Sequence, residues 1–161
     1  MHNSKHLEEF GRDFWKRFNY FRQIEVNEVM VGPFDYSAEA FALLRDAELC
    51  YAAKAYFASV VMAHSIIEIH LRKVEGLEER TASTLFKKAG INEEVDWLRK
   101  LRNDIAHGNE NPEITYGIDS NLEITWEAYC IRAFQFMHEL PVRLYRAKFL
   151  NITSMDKNSP E

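Results

Sequence analysis

The spacing of the apolar residues is the feature that most limits the fold of this chain. Apolar side chains recur at steps of three or four positions, which places them on one face of an α-helix. The first such stripe consists of Leu7, Phe10, Phe14, Phe18, Phe21 and Ile24. Only six Gly and four Pro interrupt the 161 residues, so long helices are favoured over loops. The sequence therefore predicts an all-α helical bundle.

The same periodicity predicts where the helices lie. A first helix is expected over about residues 4–29, and an unusually long second helix over residues 37–74, where neither Gly nor Pro occurs. At about 55 Å the second helix is longer than a domain of this size needs to bury, so a kink or a protruding end used for pairing is an alternative. A short helix follows over residues 81–89, and another runs from residue 92 or 93 to His107, just before Gly108. A last helix is expected from Thr125 to about residue 150. Apolar and polar residues alternate within residues 113–125, so a short β-hairpin is an alternative there.

Length and composition indicate the domain organisation. Residues 1–150 are predicted to form a single helical domain, with residues 1–30 as an additional N-terminal helix and residues 151–161 as a flexible tail. No apolar run reaches the roughly 18 residues of a membrane span. The first residues also lack the apolar stretch of a secretory signal, so the expected location is the cytoplasm.

The charge and the cysteines argue against several kinds of function. A net charge of −5 at pH 7 disfavours a protein that coats nucleic acid through electrostatic attraction alone. Cys50 and Cys130 lie far apart in apolar stretches, which favours two buried thiols over a disulfide or a zinc site. The chain has no Gly-rich phosphate loop, paired-Cys motif or His-Glu-x-x-His motif. Neither a metal nor a cofactor is therefore expected.

The most informative chemistry lies in the consecutive residues Arg102-Asn103-Asp104-Ile105-Ala106-His107. This segment combines a guanidinium, an amide, a carboxylate and an imidazole, and phosphodiester chemistry uses groups of these kinds. On an ideal helix Arg102 and His107 point about 140° apart, so the helix alone does not bring them to one pocket. The residue types leave open a simpler interpretation, a His near the negative end of a helix beside a surface Arg.

The segment, with Gly108 after it, resembles the Arg-x(4–6)-His signature of the HEPN superfamily, in which a polar residue commonly follows the Arg. The layout across roughly residues 37–148 is similar as well: a long helix that contains Glu68, a variable stretch, the signature near a helix end, and a final helix. The resemblance implies a HEPN-like bundle that dimerises. In active members of the superfamily, RNA is cleaved without a metal where two copies of the signature meet.

The resemblance also implies roles for individual residues. His107 of two chains would share the acid and base roles, Arg102 would stabilise the charge of the transition state, and Asn103 would position the phosphate or the imidazole. Glu68 is expected to orient Arg102 through a charge-assisted hydrogen bond. Asp104 is a further supporting residue.

The leading hypothesis is thus a metal-independent endoribonuclease, either a toxin or an antiviral defence component, that forms a homodimer and binds RNA. An antitoxin or another protein would be a further partner. Arg72, Arg99 and Lys100 are the candidate RNA-binding residues, although such pairs also occur on ordinary solvated helix surfaces.

Two other hypotheses remain. A non-catalytic HEPN-like module that binds a protein or a nucleotide is the alternative, motivated by the acidic net charge and by Trp15 and Tyr20 outside the first apolar stripe. The other is a generic bundle in which the segment is coincidental.

Overall fold

A computed structural model describes residues 2–29, 36–108 and 120–156, and the side chains of residues 5–23, 36–108 and 125–147. Within these ranges the chain forms helices and no strand, which confirms the predicted all-α bundle. The helices are α1 (His2–Val29), α2 (Ala38–Ala52), α3 (Tyr56–Lys73), α4 (Ala82–Lys88), α5 (Asn92–His107) and α6 (Ser120–Asp156). None of the helices in the described part of the chain is long and apolar enough to cross a membrane.

Local capping explains several helix ends. The side chain of Ser37 accepts a hydrogen bond from the backbone N–H of Ala40 at the start of α2. Thr81 does the same for Thr84 at the start of α4. Each cap satisfies one of the N–H groups that have no partner within the helix. These ends, and those of α1, agree with the predicted boundaries within a few residues.

The predicted long second helix is wrong, because the chain breaks at residues 53–55 and folds back on itself. Lys54 adopts a left-handed conformation with a φ of 63°. The N–H groups of Ala53 and Ala55 donate to the carbonyls of Leu49 and Cys50, which closes the end of α2. α2 and α3 then pack side by side. Folding back lets the two apolar faces bury each other, whereas one straight helix would leave much of that surface in water.

The last helix is longer than predicted and extends past both expected ends. Leu122 and Ile124, which belonged to the alternative hairpin, are helical. Their carbonyl groups accept hydrogen bonds from later residues of the same helix, whereas a strand would need a second strand beside it. Residues 113–119 of the hairpin and residues 157–161 of the tail lie outside the described residues.

The core forms where α2, α3 and α6 meet, and α1 joins it through its C-terminal half. α3 packs against α6 and α5, while α1 packs against α2 and α6. The ring of Phe21 stacks on Phe134 at 4.2 Å between centroids and meets Tyr51 edge-on at 4.2 Å. Phe21 and Phe134 are fully buried. α1 is therefore part of the same bundle.

The two cysteines are free thiols, and they differ in burial. Cys130 is buried and donates from Sγ to the carbonyl of Tyr56 at 3.3 Å. Burial raises the pKa of this thiol well above its usual range. Cys50 is only half-buried, so the prediction of two buried thiols is correct for Cys130 alone.

Candidate active site

The segment from Arg102 to His107 forms about the last turn and a half of α5, a helix that is anchored by buried apolar side chains. Val95, Leu98 and Leu101 are buried, and α5 packs against α3 and α4. Gly108 has a φ of 62° and donates its N–H to the carbonyl of Asp104. This conformation favours glycine and ends the helix at His107, as predicted.

Arg102 lies on the flank of α5 that faces α3. Its side chain is half-buried, and its Nη1 donates to Oδ1 of Asn103 at 3.0 Å. The positive charge of Arg102 also acts on the carboxylate of Glu68 in α3 and helps to lower its pKa. The structure therefore brings together three of the predicted residues, Arg102, Asn103 and Glu68.

Glu68 is the centre of a charged cluster along α3. Its Oε1 lies 3.0 Å from Nδ1 of His64, and its Oε2 lies 3.7 Å from Nη2 of Arg72. The close contact with the imidazole of His64 is the largest cause that lowers the pKa of the Glu68 carboxyl, burial opposes it, and the nearby positive charges lower the pKa further. Glu68 is therefore held in its ionised form, in which it attracts both guanidinium groups.

His64 is a member of this cluster that the sequence did not reveal as a core residue. The spacing along α3 predicts an ion-pair ladder on the surface, but His64 is only 1% exposed. Its ring meets Phe86 of α4 edge-on at 5.3 Å. A usable signal was its position one turn from Val60 and one turn from Ile67, which are both buried. The row of contacts from His64 through Glu68 to Arg72 thus begins inside the protein and ends at its surface.

The predicted RNA-binding residues already have acceptors within the chain. Asp96 lies 2.5 Å from Nη2 of Arg99 and 2.7 Å from Nζ of Lys100, and these two hydrogen bonds lower the pKa of its carboxyl. In addition to its contact with Glu68, Arg72 donates from Nη1 to the backbone carbonyl of Glu79. α5 as a whole carries four acidic and three basic residues. The surface around the segment is therefore mixed in charge rather than strongly basic.

His107 stands apart from the Arg102 cluster. It is exposed at the last position of α5 and has no hydrogen bond or ion pair with the residues that the structure describes. Five helical positions separate it from Arg102, which corresponds to about 7.5 Å along the axis and about 140° around it. One chain thus offers a held arginine and a solvent-facing imidazole that do not converge on a single point.

Comparison with known proteins gives no family assignment: no family model matches the chain, and no curated protein or solved structure matches it. Within the described residues, no group of three or more His, Cys, Asp or Glu side chains is placed to hold a metal ion. The function is consequently argued from the chemistry of the site.

Proposed function

We propose that this protein is a metal-independent endoribonuclease of the HEPN type that acts as a homodimer. The observation that carries the proposal is the helix end that combines a held arginine with an exposed histidine. Arg102 is hydrogen-bonded to Asn103 and is attracted by the negative charge of Glu68, while His107 faces solvent. A fixed positive charge near an imidazole suits the cleavage of a phosphodiester.

The proposed reaction begins with attack by the 2′-hydroxyl of the RNA on the adjacent phosphorus. The bond from the 2′-oxygen to phosphorus forms and the bond to the 5′-oxygen breaks, which leaves a 2′,3′-cyclic phosphate and a 5′-hydroxyl. One group must take the proton of the 2′-hydroxyl and another must protonate the leaving 5′-oxygen. A single imidazole serves in one role at a time, so His107 of two chains supplies both.

The remaining groups stabilise charge and bind the substrate. Arg102 supplies the positive charge that the non-bridging phosphate oxygens need as the transition state forms. Asn103 holds that guanidinium through a hydrogen bond, and the negative charge of the ionised Glu68 attracts it. Arg99 and Lys100 bind phosphates of the RNA after they leave Asp96, an exchange of low cost because exposed ion pairs are weak.

The test is cleavage of single-stranded RNA by the purified protein in the presence of EDTA. We expect cyclic phosphate ends, no cleavage of the matching DNA, and a loss of about 100-fold or more in rate for His107→Ala and for Arg102→Ala. His6→Ala and Arg146→Ala are matched controls, because both change exposed residues on other helices, and we expect them to keep the wild-type rate. Intact RNA, or equal activity in His107→Ala, would rule out the proposal.

The proposed biological role is that of a toxin or an antiviral defence component. Cleavage of cellular RNA would slow growth when the protein is expressed, and the slowing would disappear in His107→Ala. An antitoxin, if the system has one, would relieve the growth defect of the wild-type chain. If the wild-type chain and His107→Ala slow growth equally, the toxicity does not arise from the proposed site.

A non-catalytic binding module is the second candidate, and the charges around the segment favour it. Arg99 and Lys100 share Asp96, and the whole chain carries a net charge of −5, which weakens attraction to RNA. Under this proposal the chain binds a protein or a nucleotide through the same surface. Binding that survives His107→Ala, together with RNA that stays intact, would favour this candidate over the ribonuclease.

A further inference from the structure

The N-terminal half of α1 carries an apolar surface that the bundle leaves uncovered. Leu7, Phe10 and Trp15 are 69%, 55% and 59% exposed. Phe14 and Phe18 lie on the same side of the helix and are half-buried. We call these five side chains the α1 surface.

The α1 surface extends beyond the part of the helix that is attached to the bundle. The attachment consists of Phe21, packed between Tyr51 and Phe134, and of Arg17, whose Nε donates to the carbonyl of Ala52 at 2.9 Å. The preceding three turns of helix continue past these anchors for about 16 Å. The apolar stripe therefore begins in the core and continues into solvent.

The exposed apolar area of the α1 surface is as large as that of many interaction sites. An aromatic side chain buries about 150–250 Å² when fully covered, so the α1 surface leaves on the order of 400 Å² of apolar area in water. This value lies within the range of about 300–600 Å² for patches that often mark interaction sites. Two such surfaces and their polar rims approach the roughly 1,000 Å² that a specific interface buries.

The charges beside the α1 surface are separated along the helix. Glu8 and Arg12 are exposed one turn apart along one edge of the α1 surface. An antiparallel second copy that crosses at Gly11 places Glu8 of each chain beside Arg12 of the other, which gives two reciprocal ion pairs. Glu9, Asp13 and Lys16 are exposed on the opposite side of the helix and take no part in the contact. Antiparallel helices also oppose their dipoles.

Gly11 in the middle of the α1 surface provides room for a second helix. A Cβ added at Gly11 would meet nothing within 4 Å. The bare backbone at this point allows close approach, and the rings of Phe10 and Phe14 from the other copy fill the remaining space.

We propose that the α1 surface pairs antiparallel with the α1 surface of a second copy of this chain, with the crossing at Gly11. α1 contacts α2 and α6, whereas α5 contacts α3 and α4. The proposed contact thus lies away from the candidate active site and does not rest on the ribonuclease proposal. A chain that uses both contacts forms an even-numbered assembly larger than a dimer.

The first test is sedimentation of the full-length chain at concentrations from about 1 to about 100 µM, a range in which typical dimers associate. Wild-type protein associates, and Leu7→Glu and Phe10→Glu each raise the dissociation constant about 100-fold or more, since each places a charge in the apolar contact of both copies. Gln23→Glu is the matched control. It adds the same charge at an exposed position beyond the anchor Phe21 and changes the constant by about twofold at most.

The second test reverses charges to establish the direction of pairing. Glu8→Lys weakens association, as does Arg12→Glu, and a mixture of the two variants restores it. Helical content by circular dichroism shows that each variant is folded. A monomeric wild-type chain at all concentrations, unchanged association of Phe10→Glu, or binding of anionic vesicles by the monomer would each overturn the proposal. His107→Ala still associates through α1, so failure of the ribonuclease assay is distinguishable.

Discussion

At the residue scale, side chains of the same type have different partners because their surroundings differ. Arg99 and Arg102 lie three positions apart on α5, yet Arg99 engages Asp96 while Arg102 engages Asn103 and acts on Glu68. The sequence predicted a hydrogen bond from Arg102 to Glu68, but the close contacts of Glu68 are with His64 and Arg72, and Arg102 acts on it only through its charge. Asp96 was missed, although its spacing of three and four from the neighbouring basic residues was a usable signal.

The burial of His64 was missed for a different reason. Its spacing to Glu68 predicted the contact between them, which the structure contains at 3.0 Å. Its burial depends on Phe86, which comes from another helix and 22 positions later in the chain. Periodicity along one helix does not reveal which neighbouring helix covers a polar residue.

We expect His64→Phe to raise the pKa of the Glu68 carboxyl, because the contact with the imidazole of His64 is the largest cause that lowers it. A lowered pKa stabilises the folded state at pH values above the unfolded pKa of about 4.3, and this stabilisation is lost as the pH falls through the folded pKa. His64→Phe therefore loses part of this stability at neutral pH. Carbon-13 NMR titration of the Glu68 carboxyl measures the shift.

The controls for this titration use the same cluster. His64→Gln keeps a side-chain donor and should shift the pKa of Glu68 less than His64→Phe does. Arg72→Gln removes a weaker contributor and should also produce a smaller shift. A larger effect from Arg72→Gln would show that the contact with His64 is not the main cause.

At the element scale, the helix ends marked by glycine were predictable, and the break between α2 and α3 was not. Gly108 closes α5 at the expected position with a φ of 62°. The chain from Ala38 to Lys73 contains no Gly or Pro, and its left-handed residue is Lys54. The break arises because two short helices bury more of their apolar faces together than one long helix does. This gain comes from packing and leaves no mark on the local sequence.

Lys54→Gly tests the break directly. In a continuous helix this substitution would cost about 1 kcal/mol. At a φ of 63° glycine avoids the strain that a side chain imposes, so we expect a change between neutral and a stabilisation of about 0.5 kcal/mol. Urea unfolding measures the difference. Lys16→Gly in the middle of α1 is the matched control and should destabilise by about 1 kcal/mol; equal losses for both variants would contradict the break.

At the scale of the whole molecule, α1 links two kinds of surface in one helix. Its C-terminal half contributes Phe21 to the core between α2 and α6. Its N-terminal half leaves Leu7 and Phe10 in solvent. The sequence predicted this helix and its stripe, but a uniform periodicity does not tell which turns meet the bundle. The division follows from the position of Arg17 and Phe21 beside α2 and α6.

This arrangement predicts that α1 and the rest of the chain unfold together. Phe21→Ala removes a fully buried ring from the contact with Phe134 and Tyr51, and we expect it to cost about 3–5 kcal/mol. Phe41→Ala, which removes a ring that is 45% exposed on α2, should cost less than about 1 kcal/mol. The measurement is urea unfolding followed by circular dichroism and by tryptophan fluorescence, because Trp residues lie on α1, α5 and α6.

For a single cooperative unit, the two signals change at the same urea concentration in both variants, and Phe21→Ala moves the whole transition to lower urea. If α1 were an independent appendage, Phe21→Ala would create a separate early step that removes helical signal while the fluorescence of Trp97 and Trp126 stays native. A single Trp15→Phe substitution in that background identifies the step, because it removes the reporter on α1 and leaves the reporters on α5 and α6. If the circular dichroism and fluorescence curves coincide, the exposed N-terminal half of α1 unfolds together with the core that positions α5.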